Sequence, residues 1–343
     1  MKKIDLRSDT VTLPSDEMME AIQYANLGDD IYGEDPTVNQ LEEKAAKKLG
    51  MEAALLVTSG TQGNICSVVA HTNSGDEVIL EKNSHIFLHE TASAAVIGGV
   101  QLHTVTGKDG YLITPEMLSA AIRGHDVHYP ISSLVSIENT HNMAGGIPWK
   151  PKEIQAIIKS AHNNNLKIHI DGARIFNAAV ASGIPVDKLI KNADSIMFCL
   201  SKGLACPVGS IIAGSKEFIT KAHRVRKMLG GGMRQAGIIA APGIVALEKM
   251  IDRLADDHRH SQMLKKGLSK IEGITTRGGP TNILFIDISG LEIPGKEFKK
   301  KLAEKNIIVS SRWDTVFRLV THYGIEKEDI DYVIETIHSL FGK

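Results

Sequence analysis

The stretch Phe198-Cys-Leu-Ser-Lys-Gly-Leu-Ala-Cys-Pro-Val-Gly-Ser210, FCLSKGLACPVGS, decides how the chain is read. It begins inside an apolar run, Ser195-Ile-Met-Phe-Cys-Leu200, that reads as a buried strand, and it then places Lys202 and Gly203 directly at the strand's end. Lysine is almost never buried without a partner. An ammonium carried to the mouth of a core therefore asks for a chemical reason.

Other short apolar runs have the same character: 53–58, 77–80, 134–137, 167–170 and 209–212. Rich in Val and Ile, they suit strands of a mostly parallel sheet buried on both faces. Helical patterns lie between them. Residues 37–50 start at a capping Thr37 with Gln40 three positions on and stop at Gly50; 151–162 and 215–229 are similar. This alternation predicts an α/β fold with helices on both faces of the sheet. Beyond Arg234 a long helical stretch, 235–271, softened at Pro242-Gly243, leads to strands at 282–286 and 317–320 with helices at 295–305 and 326–341. The reading is a large domain over 1–248, with an N-terminal arm at 1–20, and a smaller α+β domain over 249–343.

The 343 residues are 43% hydrophobic and 23% charged with a formal net charge of −1, which gives no general attraction to nucleic acid or anionic membrane. No apolar run is long enough to span a bilayer, and the N-terminus lacks the apolar core of a secretory signal. Cys66, Cys199 and Cys206 are too few and scattered for a disulfide framework or a four-ligand zinc site, so a cytoplasmic, reducing compartment is expected.

Open parallel sheets bind ligands beyond the carboxyl ends of their strands. Thr58-Ser-Gly-Thr-Gln-Gly-Asn64 follows the first large-sheet strand and opens a helix; its free N–H groups form either an anion site or a simple capped turn. Asn83-Ser-His85 follows the next, where His85 and His89 are spaced as a ligand pair without the HExxH order, so a polar histidine is the plainer reading of His85. Glu138-Asn-Thr-His-Asn142 and Asp171-Gly-Ala-Arg174 follow two more. A buried aspartate needs a cation or a protonated nitrogen, and Arg174 is the structural candidate. An anion cradle, a histidine, an aspartate and a partly desolvated lysine at one sheet edge are the four parts that pyridoxal phosphate requires. A neutral lysine amine condenses with its aldehyde.

At this point the chain resembles the low-specificity L-threonine aldolases, which have the type I, aspartate aminotransferase-like fold of pyridoxal-phosphate enzymes. The similar stretches are 5–12, 28–36, 59–61, 138–142, 169–174, 198–203, 230–235 and 318–322. The resemblance implies that Lys202 forms the Schiff base with pyridoxal 5'-phosphate and that Asp171 keeps the ring nitrogen protonated. His85 stacks on the ring, and Ser59, Gly60 and Thr61 hold the phosphate. It places Arg174 near the phenolic oxygen and the substrate carboxylate, with Ser8 and Arg318 completing the carboxylate clamp. The implied reaction is retro-aldol cleavage of a β-hydroxy-α-amino acid to glycine and an aldehyde, with His85 or His128 as the base; a plain loop histidine is the other reading of His128. Arg234, after the Gly230–Gly232 turn, and Tyr32 serve a neighbouring subunit's site in that family, Arg234 towards the cofactor and Tyr32 towards the substrate. At least a dimer, and by resemblance a homotetramer, follows.

The competing readings are an aminotransferase or a β-eliminating lyase with the same lysine and aspartate, a histidine-bound metal hydrolase, and a nucleotide-binding oxidoreductase. The missing GxGxxG after the first strand counts against the last. A non-catalytic binding module gives no reason for Lys202 and Asp171 to share one mouth.

Overall fold

A computed structural model describes residues 2–342. Its strands, in chain order, are β1 (Ile4–Asp5), β2 (Ala53–Val57), β3 (Glu77–Glu81), β4 (Gln101–Val105), β5 (Ser132–Glu138), β6 (Lys167–Asp171), β7 (Ser195–Cys199) and β8 (Ser210–Gly214). β9 (Thr275–Arg277), β10 (Ile283–Asp287), β11 (Ile307–Ile308), β12 (Ser310–Ser311) and β13 (Val316–Val320) follow. Seven of them form one sheet in the order β2-β8-β7-β6-β5-β3-β4. Every expected apolar run is a strand of this sheet or of the smaller one. The edge strand β4 escapes sequence reading because its Gln-Leu-His-Thr-Val is half exposed rather than an apolar run.

The sheet is mostly parallel, with one reversal. β8 runs antiparallel to both β7 and β2. The connection from Cys199 to Ser210 is too short for a parallel crossover, which takes a dozen or more residues. Lys202 therefore sits in a reversing loop at the sheet's carboxyl edge, where β2, β3, β5, β6 and β7 all end.

The helix over Pro36–Leu49 is capped two residues earlier than the sequence suggests, by Asp35 rather than Thr37. Asp35 accepts from the N–H groups of Thr37 (3.1 Å) and Val38 (3.0 Å), while the Thr37 hydroxyl donates to the Asn26 carbonyl. Pro36, lacking an N–H and fixed near helical φ, fits the first helical position and leaves the cap to the residue before it. The expected 235–271 helix is broken: Gly237–Val245 runs into a wider π-type turn at Ala246–Met250, and a new helix spans Leu254–Leu268.

The smaller sheet, β12-β13-β10-β9, is antiparallel and carries the helices Leu254–Leu268, Gly295–Ala303 and Lys327–Phe341. The first residues join this unit. β1 pairs in parallel with β11, and Ile4 and Leu6 pack among Leu264, Phe298 and Phe317. The segment that follows β1 is thus carried over the mouth of the large sheet by the elements packed on the smaller one.

Candidate active site

Lys202 is held over the end of β7 by a tight turn. The Ala205 N–H donates to the Lys202 carbonyl (2.8 Å), the Cys206 N–H donates to the Leu200 carbonyl (3.1 Å), and Ala205 takes a left-handed φ of +63°. The side chain is half-buried and forms none of the side-chain hydrogen bonds or ion pairs among the described residues. It lines a small cavity of about 170 Å³ together with Ser8, His85, His89, Asp171, Arg174, Arg312 and Arg318.

Beside it the helix Gly60–His71 begins. Ser59 caps it by accepting from the Gln62 N–H (3.1 Å), which leaves the first N–H groups, at Gly60 and Thr61, facing outward at the positive end of the dipole. Gly60 has no room for a side chain: a Cβ there would lie 2.9 Å from the Sγ of Cys199, at the end of β7. The strand that delivers Lys202 and the helix that offers free N–H groups are therefore in direct contact.

Asp171 closes β6 and is buried. Its Oδ2 accepts from Asn64 Nδ2 (2.9 Å), and its Oδ1 accepts from the Ala173 N–H (3.2 Å). Arg174 is not its partner. That guanidinium instead makes two parallel hydrogen bonds to the buried Asp9, Nε to Oδ2 and Nη2 to Oδ1, both 2.6 Å. Burial opposes the charge on Asp9, but Arg174 foremost, then Lys202 and Arg318, hold its carboxyl well below the usual range. The fork expected to meet the substrate is thus largely committed to Asp9, and the two N–H groups of Nη1 with the second N–H of Nη2 remain for a ligand.

Arg318 is as buried as Arg174 but is bonded to no carboxylate among the described residues, which makes it the freer clamp. It is delivered by β13, donates through Nη1 to Asn142 (2.7 Å) and through Nη2 to the Arg7 carbonyl (3.1 Å), and its buried Nε has no partner. Burial, with Arg174 and Arg312 nearby, pulls its pKa down to about 9. Arg312 also has a buried Nε without a partner. Three guanidinium groups, of which only Arg174 is bonded to a carboxylate among the described residues, make a site that gains from a ligand anion. Ser8 lies beside them, its Oγ accepting from the Thr10 N–H at 3.3 Å.

His85 starts a short helix after β3, where Glu138 accepts its backbone N–H (2.7 Å). Its Nδ1 bonds to Glu90 Oε1 (2.8 Å). Burial disfavours the imidazolium, but the Glu90 hydrogen bond and the charges of Asp171 and Glu90 outweigh it and raise the pKa. The rings of His85 and His89 are 5.4 Å apart and tilted by 59°, with the Nδ1 of His85 already committed to Glu90. Nδ1 of His85 is thus unavailable to the metal pair that the spacing allowed, unless Glu90 is displaced.

His128 does not reach this cavity. It sits in the loop before β5, at the amino edge of the sheet, with its side chain 81% exposed and bonded to Asp126 at 2.5 Å. The seven residues of β5 alone separate that edge from the site by about 20 Å. Within one chain His128 is no base. Tyr32 is 73% exposed and Arg234 pairs with Asp29 at the surface (2.9 Å), both outside the cavity. The turn before Arg234 does approach the helix start, since a Cβ on Gly231 would collide with the Gln62 amide. Asn64, Glu90, Asn142 and Arg312 carry site contacts that the sequence left without roles. The first three lay inside or beside motifs already noted; Arg312 had no signal, because only the β12–β13 pairing brings it beside Arg318.

These residues fit pyridoxal phosphate: a free amine, free N–H groups for a phosphate, a buried carboxylate for the ring nitrogen, and guanidinium nitrogens without partners for a carboxylate. Fold and site together define a pyridoxal-phosphate-dependent enzyme of the aspartate aminotransferase-like type I fold. The family model described as Beta-eliminating lyase matches residues 5–290. The chain is 43% identical over 340 residues to Low-specificity L-threonine aldolase 1 of Arabidopsis thaliana, covering 97% of this chain and 95% of the relative. It is 39% identical over 331 residues to the Low specificity L-threonine aldolase of Escherichia coli K12, covering 95% and 96%. The solved structure described as Leishmania major threonine aldolase superposes with a TM-score of 0.86 at 18% identity, covering 99% of this chain and 100% of that one, a likeness of fold. The chain belongs to the low-specificity L-threonine aldolase family.

Proposed function

We propose that the protein cleaves L-threonine, L-allo-threonine and related β-hydroxy-α-amino acids to glycine and an aldehyde. The observation that carries this reading is the free Lys202 amine set between a helix N-terminus, the buried Asp171 and the unpartnered Arg318 Nε. When bound, pyridoxal phosphate supplies a ring that accepts the electron pair left as the Cα–Cβ bond breaks. Lys202 anchors it, the N–H groups of Gly60 and Thr61 receive its phosphate, and Asp171 holds the proton on its ring nitrogen. Arg318, with Ser8, Arg312 and the remaining N–H groups of Arg174, orients the substrate carboxylate. His85 takes the proton from the β-hydroxyl, directly or through a water. Its Nδ1–H donates to Glu90, so the lone pair is on Nε2.

Incubating the protein with the cofactor and L-threonine should give equal glycine and acetaldehyde, and none with Lys202→Ala. Pyruvate or a new amino acid without aldehyde would move the reading to β-elimination or transamination.

Arg318→Lys should raise KM about 10–100-fold with a smaller change in kcat, because a point charge replaces charge-assisted hydrogen bonds in fixed directions. An unchanged KM would move the clamp to Arg312.

A base must be neutral, and the pKa of His85 is raised above its usual 6.5. The rate should therefore fall as pH drops through that raised value. Glu90→Gln removes the charge that favours the imidazolium, so the acid limb should shift to lower pH. A limb that stays in place would assign it to another group.

A second copy is expected to complete the site. Tyr32, Arg234 and His128 lie on the surface of one chain, and Leu13, Val127 and Ile131 expose apolar side chains. Light scattering should give the mass of a homotetramer, or at least a dimer; a monomer with full activity would remove these residues from the site. A cytoplasmic location is inferred from the three cysteines, all free and buried. No helix among the described residues is long and apolar enough to cross a membrane.

A further inference from the structure

A line of buried hydrogen bonds runs from the active site towards the opposite edge of the large sheet. Its geometry follows from two periodicities. Asn64 and His71 are seven apart and share one face of the helix Gly60–His71; His169 and Asp171 are two apart and share one face of β6. Ser195, on β7, is the register partner of His169. The links are His71 Nε2 to Ser195 Oγ (2.7 Å), Ser195 Oγ to His169 Nδ1 (2.9 Å) and His169 Nε2 to Asn64 Oδ1 (3.1 Å). Asn64 Nδ2 then reaches both Asp171 Oδ2 (2.9 Å) and Glu90 Oε1 (2.8 Å).

The direction of every link is fixed by counting protons. Two carboxylate oxygens, Asp171 Oδ2 and Glu90 Oε1, face one end of the Asn64 amide, so Asn64 turns its NH2 group to them and spends one proton on each. Asn64 Oδ1 then needs a donor, and His169 Nε2–H is the one in reach. His169 is fully buried and far too desolvated to carry a charge, its pKa pushed down to about 3, so its Nδ1 is bare and accepts from Ser195. The Ser195 oxygen in turn accepts from His71 Nε2–H. All donors point towards the site.

We propose that His169 is a positioning residue for the reaction: acting through Asn64, with Ser195 and His71 behind it, it locks the amide that holds the carboxylates of Asp171 and Glu90. Asp171 meets the ring nitrogen and Glu90 meets the base His85, so this one amide sets both halves of the proton inventory. The role in catalysis rests on the aldolase reading above; the locked amide and its effect on cofactor binding do not.

The test begins with apoenzyme. Long-range proton–nitrogen spectra should show His169 with Nε2 protonated and Nδ1 bare; the opposite tautomer overturns the proposal. His169→Leu removes the donor to Asn64 and should weaken pyridoxal phosphate binding to apoenzyme about tenfold, the effect of one hydrogen bond on a charged group. His169→Gln, which can accept from Ser195 and donate to Asn64, should restore most of that affinity. Equal affinity in all three proteins, or a Gln variant no better than Leu, overturns it, since a packing role would treat the two alike. Should the Leu variant fail to fold, Ser195→Ala decides: Asn64 Oδ1 still requires the Nε2–H donor, so the spectrum should keep Nε2 protonated, and a switch to the Nδ1–H tautomer would show that Ser195 rather than Asn64 sets it and counts against the proposal. A protein that meets these expectations but releases no aldehyde from threonine would fail the aldolase reading alone.

Discussion

Lys202→Ala is expected to lower turnover by about four orders of magnitude or more, the scale seen when a group that acts covalently is removed. The visible absorbance of the cofactor-bound protein should vanish with it. The fold should be untouched, because the Lys202 side chain makes no hydrogen bond or ion pair among the described residues and is only half-buried. The turn itself is held by backbone bonds, Ala205 to Lys202 and Cys206 to Leu200, that an alanine keeps. Apoenzyme melting temperatures of the two proteins should therefore agree. Residual activity within tenfold of the parent would end the mechanism, and a large fall in melting temperature would give Lys202 a structural role that its contacts do not support.

Asp171→Asn should reduce kcat by about 10²–10³-fold, the size of effect found when one fixed electrostatic partner of a developing charge is lost. The amide is nearly the same size but carries no charge to hold a proton on the ring nitrogen. Cofactor affinity should fall as well. Stability should fall by only about 1–3 kcal/mol, because the amide oxygen can still accept from Asn64 while its NH2 group loses the Asp171 Oδ1 contact with the Ala173 N–H. A fully active Asp171→Asn protein would reduce Asp171 to a fastener between β6 and the helix Gly60–His71. The contrast with Asn64 is informative: that residue touches Asp171 but meets neither substrate nor cofactor in the proposed scheme, so its variants should act on cofactor affinity and the pH limb more than on chemistry itself.

Much of the architecture was written along the chain. Buried strands announce themselves as short apolar runs, and the residues just beyond them, Ser59–Thr61, His85, Asp171 and Lys202, converge because parallel strands put all their carboxyl ends on one edge. Even the reversal of β8 follows from a connection too short to cross over. The sequence was silent where contacts join residues far apart in number. Asp9 takes the fork of Arg174 from 165 positions away, and the N-terminal segment reaches that spot because β1 pairs with β11, about 300 positions further along the chain. Arg312 reaches Arg318 through strand pairing alone, and His128 is kept from the cavity by the length of β5. A linear pattern therefore determined which chemical groups stand at the strand ends. Only the tertiary structure decided which of those groups are already spent on one another and which remain free to bind, because pairing between buried charges depends on distances of a few ångströms that no periodicity encodes.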